Sequence, residues 1–207
     1  MPHPANLPEI PQAAFTEGVT LSGRHVRLEP LSHAHVAGLQ AAVQDGELWK
    51  LWYTGVAKPE AMVAEIERRL SLQMQGSMLP FVSLRQDNGA VCGMTTFMNI
   101  DAKNRRVEIG STWTAASAQR TGINTESKLL LLTHAFETLR CIAVEFRTNF
   151  MNHQSRAAIL RLGAKQDGIL RNHQLLAGGG YRDTVVFSII ESEWPAVKQH
   201  LLHKLDR

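Results

Sequence analysis

The chain has little with which to tie itself together covalently. Among 207 residues there are two cysteines, Cys92 and Cys141, far apart and in no C-x-x-C arrangement. That excludes a disulfide framework and a cysteine zinc site, and both thiols are expected to be reduced, buried and inert. No apolar run approaches the ~20 residues of a membrane-spanning helix. Residues 1–20 carry Pro2, Pro4, Pro8 and Pro11 but no apolar segment of the kind a secretory leader needs, so they read as a Pro-rich extension. There is no Lys/Arg block and the formal net charge is only +3, which makes nucleic acid a poor default partner. Gly-Lys-Ser/Thr and G-x-G-x-x-G are both missing, which excludes the nucleotide P-loop and the dinucleotide turn. With 44% hydrophobic and 20% charged residues, no repeat and no interior linker, residues 21–207 read as one cytoplasmic globular domain.

What is present centres on residues 107–140. Val107, Ile109 and Ser111 alternate with Glu108, Gly110 and Thr112, the period of a strand. Ala115 to Ala118 form a connector, and Gln119, Arg120, Thr121, Gly122, Ile123 and Asn124 form a loop. Gly122 should let its backbone turn sharply and approach a ligand closely. Asn124 or Thr125 can cap a helix running from about Thr125 to Arg140, with Leu129, Leu132, Phe136 and Leu139 on one face and Leu130 and Leu131 widening it. A loop that feeds a helix N-terminus presents unpaired N–H groups and a positive dipole end, which suits an anion. The alternative is an ordinary helix start.

Around this centre the remaining elements follow in order. Gly23 to Leu28 is a short strand, and Ser32 caps a helix with Val36, Leu39, Ala42 and Val43 inward. His33 and His35 point to different sides of that helix and make no metal pair. Leu48 to Tyr53 is irregular and aromatic. Trp49, Trp52 and Tyr53 either plug the core or line a binding cleft. Pro59 opens a second helix with Met62, Ile66, Arg69/Leu70 and Gln73 along one apolar edge, and Glu65, Glu67, Arg68 and Arg69 as a solvated face, closed by Gly76. Phe81–Leu84 and Val91–Phe97 are strands joined by the turn Asp87-Asn88-Gly89. After the central helix come a strand over 143–148, a helix capped by Asn152 and ended by Gly163, and strands over 167–171 and 183–189 joined across Gly178 to Gly180. A last helix is capped by Ser192.

The strand, the loop Gln119-Arg120-Thr121-Gly122-Ile123-Asn124 and the helix resemble the pyrophosphate loop of the GNAT N-acetyltransferases, with Asn124 where that family has Gly or Ala. The element order β-α-α-β-β-β-α-β-α-β-β is similar to theirs over about residues 20–190. Gly122 to Glu126, Asn152 to Arg156, Arg161-Leu162-Gly163 and Arg182-Asp183-Thr184 resemble the branch of ribosomal-protein N-terminal (Ala/Ser) acetyltransferases. The resemblance implies an α/β fold with a mixed, mostly antiparallel central sheet, flanked by helices and splayed at a coenzyme A site. It implies that main chain near Trp113 and Thr114 meets the pantetheine arm of acetyl-CoA. Backbone donors from Gln119 to Thr125 would hold the pyrophosphate, and Asn152 and Arg156 would contact the arm or the nucleotide end. No metal is implied.

The implied reaction is direct transfer of an acyl group, most simply acetyl, to a primary amine, either a protein N-terminus or a small molecule. The amine must lose a proton, the thioester oxygen needs a donor, and the departing thiolate gains from a proton. Glu108 is the candidate base, with a structural pairing to Arg105 or Arg106 as the alternative. Many relatives carry a Tyr acid seven residues after the capping Asn. Here that position is Ile159, so the role falls to Ser155, with a bond only to the coenzyme or the helix backbone as the alternative. Gln174 cannot act as the base that the branch has nearby, which leaves His173 as the proton acceptor on that segment. His134 and His153 read as packing or surface residues. The competing function is a catalytically silent coenzyme-A-binding sensor or interaction module. Monomer and homodimer are equally compatible with the sequence.

Overall fold

The structure is a computed structural model that describes residues 10–176 and 178–206. It consists of one eight-stranded sheet with helices on both faces. In chain order the elements are β1 (Leu21–Ser22), β2 (Val26–Pro30), α1 (Val36–Gln44), α2 (Met62–Met74), β3 (Met78–Arg85), β4 (Val91–Asp101) and β5 (Arg106–Thr114). Then follow α3 (Gly122–Thr133), β6 (Ala143–Asn149), α4 (His153–Arg161), β7 (Lys165–Leu175), β8 (Tyr181–Ile190) and α5 (Trp194–Leu205). The strand order is β1-β2-β3-β4-β5-β6-β8-β7. All pairings are antiparallel except β5 with β6, which is parallel and therefore needs α3 as its crossover.

Successive residues on a strand point to opposite faces, and the sheet has a separate apolar core on each. Val107 and Ile109 of β5 join Leu131, Leu132 and Phe136 from the α3 segment and Trp194 and Leu201 of α5. Leu39 and Val43 of α1, with Met62 and Ile66 of α2, close over Val82, Met94 and Trp113 on the other face. The α3 face is the larger, and α3 itself is buried on several sides, as its run of leucines implies: Thr125, Glu126, Ser127 and Lys128 are all buried. Glu126 is satisfied by accepting from the main-chain N–H groups of Arg24 (2.8 Å), His25 (2.6 Å) and Val26 (2.9 Å), which locks the β1–β2 turn to the start of α3.

Several local expectations need correction. Helix α3 begins at Gly122 rather than near Thr125. Thr121 is the N-cap, its hydroxyl accepting from the Ile123 N–H at 3.3 Å, so Asn124 and Thr125 lie inside the first turn. The same helical segment passes into a π-helical turn over His134–Thr138. Of the N-terminal extension, Pro2, Pro4 and Pro8 lie outside the described residues. The part within them is docked rather than loose: Phe15 is fully buried in the α3-side core, and Gln73 of α2 donates to the Thr16 carbonyl. Ser192 does not cap the last helix but sits in the short turn before it, where Glu193 accepts from the Ile190 N–H. The hairpin at Asp87–Gly89, the Asn152 cap and the Gly163 stop are as expected.

Candidate active site

Strand β5 is bonded unequally to its two neighbours. It pairs with β4 from Arg106 to Thr114, the last pair being Gly93 with Thr114. With β6 it pairs only at Arg106–Ala143, Val107–Val144 and Glu108–Glu145. Beyond Glu108 the two strands diverge, while β6 stays paired to β8 as far as Asn149–Thr184. The facing edges of β5 over residues 109–114 and of β6 over 146–149 therefore border a gap in the sheet. Trp113 and Thr114 lie at its open end, where Gln119 donates to the Thr114 carbonyl at 3.0 Å. The Trp113 side chain is buried toward α1 and α2, so only its main chain can serve the gap. Gly93 is required opposite it, since a Cβ there would meet the Trp113 carbonyl oxygen at 2.2 Å.

At the end of β5 the chain passes through a short 3-10 turn over Ala116–Ala118 into residues 119–121 and then α3. The sharp turn is made by Arg120, which has φ +59, and not by Gly122. Gly122 is needed for a different reason: a Cβ there would meet Cδ2 of His25 at 2.6 Å. A cavity of about 130 Å³ opens beside this helix start, lined by Arg24, His25, Arg85, Asp87, Thr121 and Ile123. From the other side Arg161 donates to Oγ1 of Thr125 at 2.9 Å. First-turn N–H groups flanked by several cationic side chains suit a phosphate. Arg24, Arg85 and Arg161 come from three distant segments, and no spacing in the sequence brings them together.

Glu108 lies where the gap begins, on the face opposite Val107 and Ile109. It is 5% exposed. Its Oε2 accepts from Nδ2 of Asn99 at 2.7 Å and lies 3.5 Å from Nε of Arg147. Burial pushes its carboxyl above the usual range, opposed by the Asn99 bond and by the charges of Arg147 and Arg182. Arg106 bonds Glu145 rather than Glu108. A cavity of about 170 Å³ opens over Glu108, Glu145, Arg147, Asn99 and Asp101. The Nε of Arg182 is buried with no hydrogen-bond partner among the described residues. A carboxyl of raised pKa next to a polar cavity has the properties of a general base.

Across the gap, Oδ1 of Asn152 accepts from the Ser155 N–H at 3.0 Å, which fixes the start of α4. The Ser155 hydroxyl has no partner among the described residues and is half-buried. Arg156 is turned back on the β6–α4 turn, donating to the Phe150 carbonyl at 3.1 Å with its guanidinium 4.6 Å from the Phe150 ring centre. Ile159 is buried in the core and offers no proton. His173 is bonded through Nδ1 to Oγ1 of Thr184 at 3.1 Å, at the far end of β8 from Ser188, which is level with Glu145. Glu108 and His173 are thus held at different levels of the sheet. Trp49 is half-buried against the α1–α2 core, whereas Trp52 is 63% exposed with its ring edge-on to Tyr53. Trp52 is therefore no core plug. His134 packs on Phe97, and burial holds its pKa down.

A sheet opened between β5 and β6, with a loop leading from β5 into the N-terminus of the crossover helix, is the architecture of the GNAT acyltransferases. Residues 25–165 match the acetyltransferase (GNAT) domain, and the chain belongs to that family of N-acetyltransferases. It is 35% identical over 111 residues to YdaF of Bacillus subtilis (strain 168), a protein named as a ribosomal N-acetyltransferase. That match covers 54% of this chain and 60% of the relative. The crystal structure of a GCN5-related N-acetyltransferase from Brucella melitensis superposes with a TM-score of 0.81 at 30% identity, over 96% of this chain and 87% of that one. The crystal structure of an acetyltransferase from T. thermophilus superposes with a TM-score of 0.78 at 34% identity, over 90% and 96%. Among the described residues no helix is long and apolar enough to cross a membrane.

Proposed function

We propose that the chain transfers an acetyl group from acetyl-CoA to a primary amine by direct attack, in the cytoplasm, within a single domain over residues 21–207. The observation that carries this reading is the three-residue pairing of β5 with β6, which leaves two strand edges facing an open gap. The pantetheine arm lies in that gap against the main chain of Trp113 and Thr114. The pyrophosphate sits on the N–H groups of the segment Gln119, Arg120, Thr121, Gly122, Ile123, Asn124 and Thr125. The Asn152 and Arg156 region flanks the arm.

The acceptor amine enters from the Glu108 face, past Trp49, Trp52 and Tyr53. Glu108, directly or through one water, takes the ammonium proton. The free amine attacks the thioester carbonyl, a β5 N–H supports the developing oxyanion, and as the amide forms its nitrogen gives up a second proton that replaces the one the Ser155 hydroxyl passes to the departing thiolate. His173, held by Thr184 through Nδ1, faces the acceptor and is the alternative proton acceptor should Glu108 not be the base. The relative's name favours an amine of a ribosomal protein as the acceptor. A thiol-release assay with acetyl-CoA and a panel of N-terminal peptides and small amines tests the reading. Turnover with one class is expected. Tight coenzyme binding with no thiol release from any amine would instead make the chain a silent coenzyme A sensor.

A further inference from the structure

The register of β4 against β5 shifts between Met94 and Thr96, and Ser111 on β5 has φ +46, in the left-handed region. This bulge is gripped from both faces of the sheet. From α2, Arg69, 4% exposed, donates Nη1 to Oγ1 of Thr96 at 2.7 Å and Nη2 to the Ser111 carbonyl at 3.2 Å. Its Nε is held by Glu65 at 2.6 Å. From α3, Lys128, 6% exposed, donates Nζ to Oγ1 of Thr95 at 3.1 Å and to Oγ1 of Thr112 at 2.9 Å. Those two hydroxyls also bond each other at 2.8 Å. Thr95 and Thr96 are neighbours on β4, and Ser111 and Thr112 are neighbours on β5. The bulge sets Ser111 and Thr112 opposite Thr95, and these three residues and the adjoining Thr96 each bond the buried Arg69 or Lys128.

Stability alone does not explain this arrangement. A left-handed serine is strained, and an amine buried with no carboxylate beside it carries a desolvation cost that apolar side chains would not. A bulge puts two residues opposite one and re-aims the chain that follows. This one lies on the part of β5 whose other edge borders the gap.

We propose that Arg69 and Lys128 are positioning residues that fix the β5 bulge, and with it the direction of the main-chain N–H groups of residues 111–113 toward the acyl thioester. The proposal rests on the reading that the β5–β6 gap holds the coenzyme. Neither side chain belongs to the pyrophosphate loop or the aromatic acceptor wall. Loosening the grip should therefore reduce turnover and leave both binding events in place.

The test combines amide hydrogen exchange with steady-state kinetics on Lys128→Met, Arg69→Met and Arg69→Lys, with the exposed Arg68→Ala as control. In Lys128→Met the two threonine hydroxyls can still bond each other, so the fold is expected to hold. Its coenzyme A Kd should stay within about threefold of wild type while kcat falls on the order of ten- to a hundredfold. Amides 111–113 should exchange about tenfold faster, with the other strands unchanged. Arg69→Lys should recover part of what Arg69→Met loses, and it replaces that variant if Arg69→Met does not fold. Wild-type kcat and wild-type exchange at 111–113 in folded variants would overturn the proposal. So would faster exchange across all strands in step with kcat, which marks a general loss of stability. Failure of the coenzyme reading shows separately, as coenzyme A that does not protect β5 in the wild type.

Discussion

The two borders of β5 make a useful contrast. Toward β4 the strand is paired from Arg106 to Thr114, and the register shift at Ser111 and Thr112 is held by hydrogen bonds from both faces. Toward β6 it is paired for three residues and then released. A gap in a sheet exposes unpaired N–H and C=O groups, which is costly unless a ligand or water meets them. The gap can stay open because the opposite border of each strand is secured, β5 by β4 and β6 by β8. The stable border keeps the shape, and the open border leaves main-chain groups for a ligand to meet.

Substitutions can break either side of this contrast. The largest effect is expected at the open border. An acceptor ammonium has a pKa of roughly 8–10, so it must lose a proton near neutral pH. Glu108→Gln should lower kcat by on the order of a hundred- to ten-thousandfold at pH 6–7. Activity should partly recover as pH rises and free amine accumulates; a wild-type pH–rate profile would remove Glu108 from the mechanism and point to His173 or an ordered water. Next, Ser155→Ala should cost about ten- to a thousandfold in kcat with the thermal midpoint little changed, because the cap uses the Ser155 main-chain N–H and not its hydroxyl.

The loop comes third. Gly122→Val should weaken coenzyme A binding by about tenfold or more in calorimetry, but the added Cβ also meets His25. Repeating the substitution in a His25→Ala background separates the two causes. Full recovery of affinity there would assign Gly122 to packing rather than to phosphate approach.

At the secured border, burial brings the Lys128 pKa from 10.5 down to about 7. Between those values the unfolded chain binds a proton that the folded chain does not. Stability should therefore rise from pH 7 toward 10.5 and be at its lowest below 7, by roughly 1 kcal/mol per pH unit within that window. Cys92 and Cys141, pushed up to about 11 and about 12, act in the opposite sense at alkaline pH, but they cancel when wild type is compared with Lys128→Met. Denaturant melts of both chains at several pH values measure the difference. The smallest effect belongs to Trp52→Ala, a several-fold rise in acceptor KM with coenzyme KM unchanged. Unfolding of that variant would return the aromatic segment to the core.

Local signals were legible in the sequence where a single residue type has one dominant use. Asn152 as a cap, Asp87-Asn88-Gly89 as a turn and the alternation of Val107 and Ile109 all appear as read. The secured border was not legible. Arg69 reads both as part of the apolar edge beside Leu70 and as part of a solvated face with Glu65, Glu67 and Arg68, and only the fold shows its long stem carrying the guanidinium under the sheet. Lys128 likewise gives no sign in sequence that it is buried. Arg120 took the left-handed turn expected of Gly122, because only the fold shows that His25 occupies the space over the glycine. Arg24, Arg85, Arg147 and Arg182 reach their sites through long-range strand pairing, which no local period encodes.

Amide hydrogen exchange with and without coenzyme A decides whether the β5–β6 gap is the coenzyme site. New protection is expected over residues 109–114 and 119–125, with weaker protection at 147–149 and none along β7. Protection confined to other elements, or none at saturating coenzyme A, would contradict that assignment.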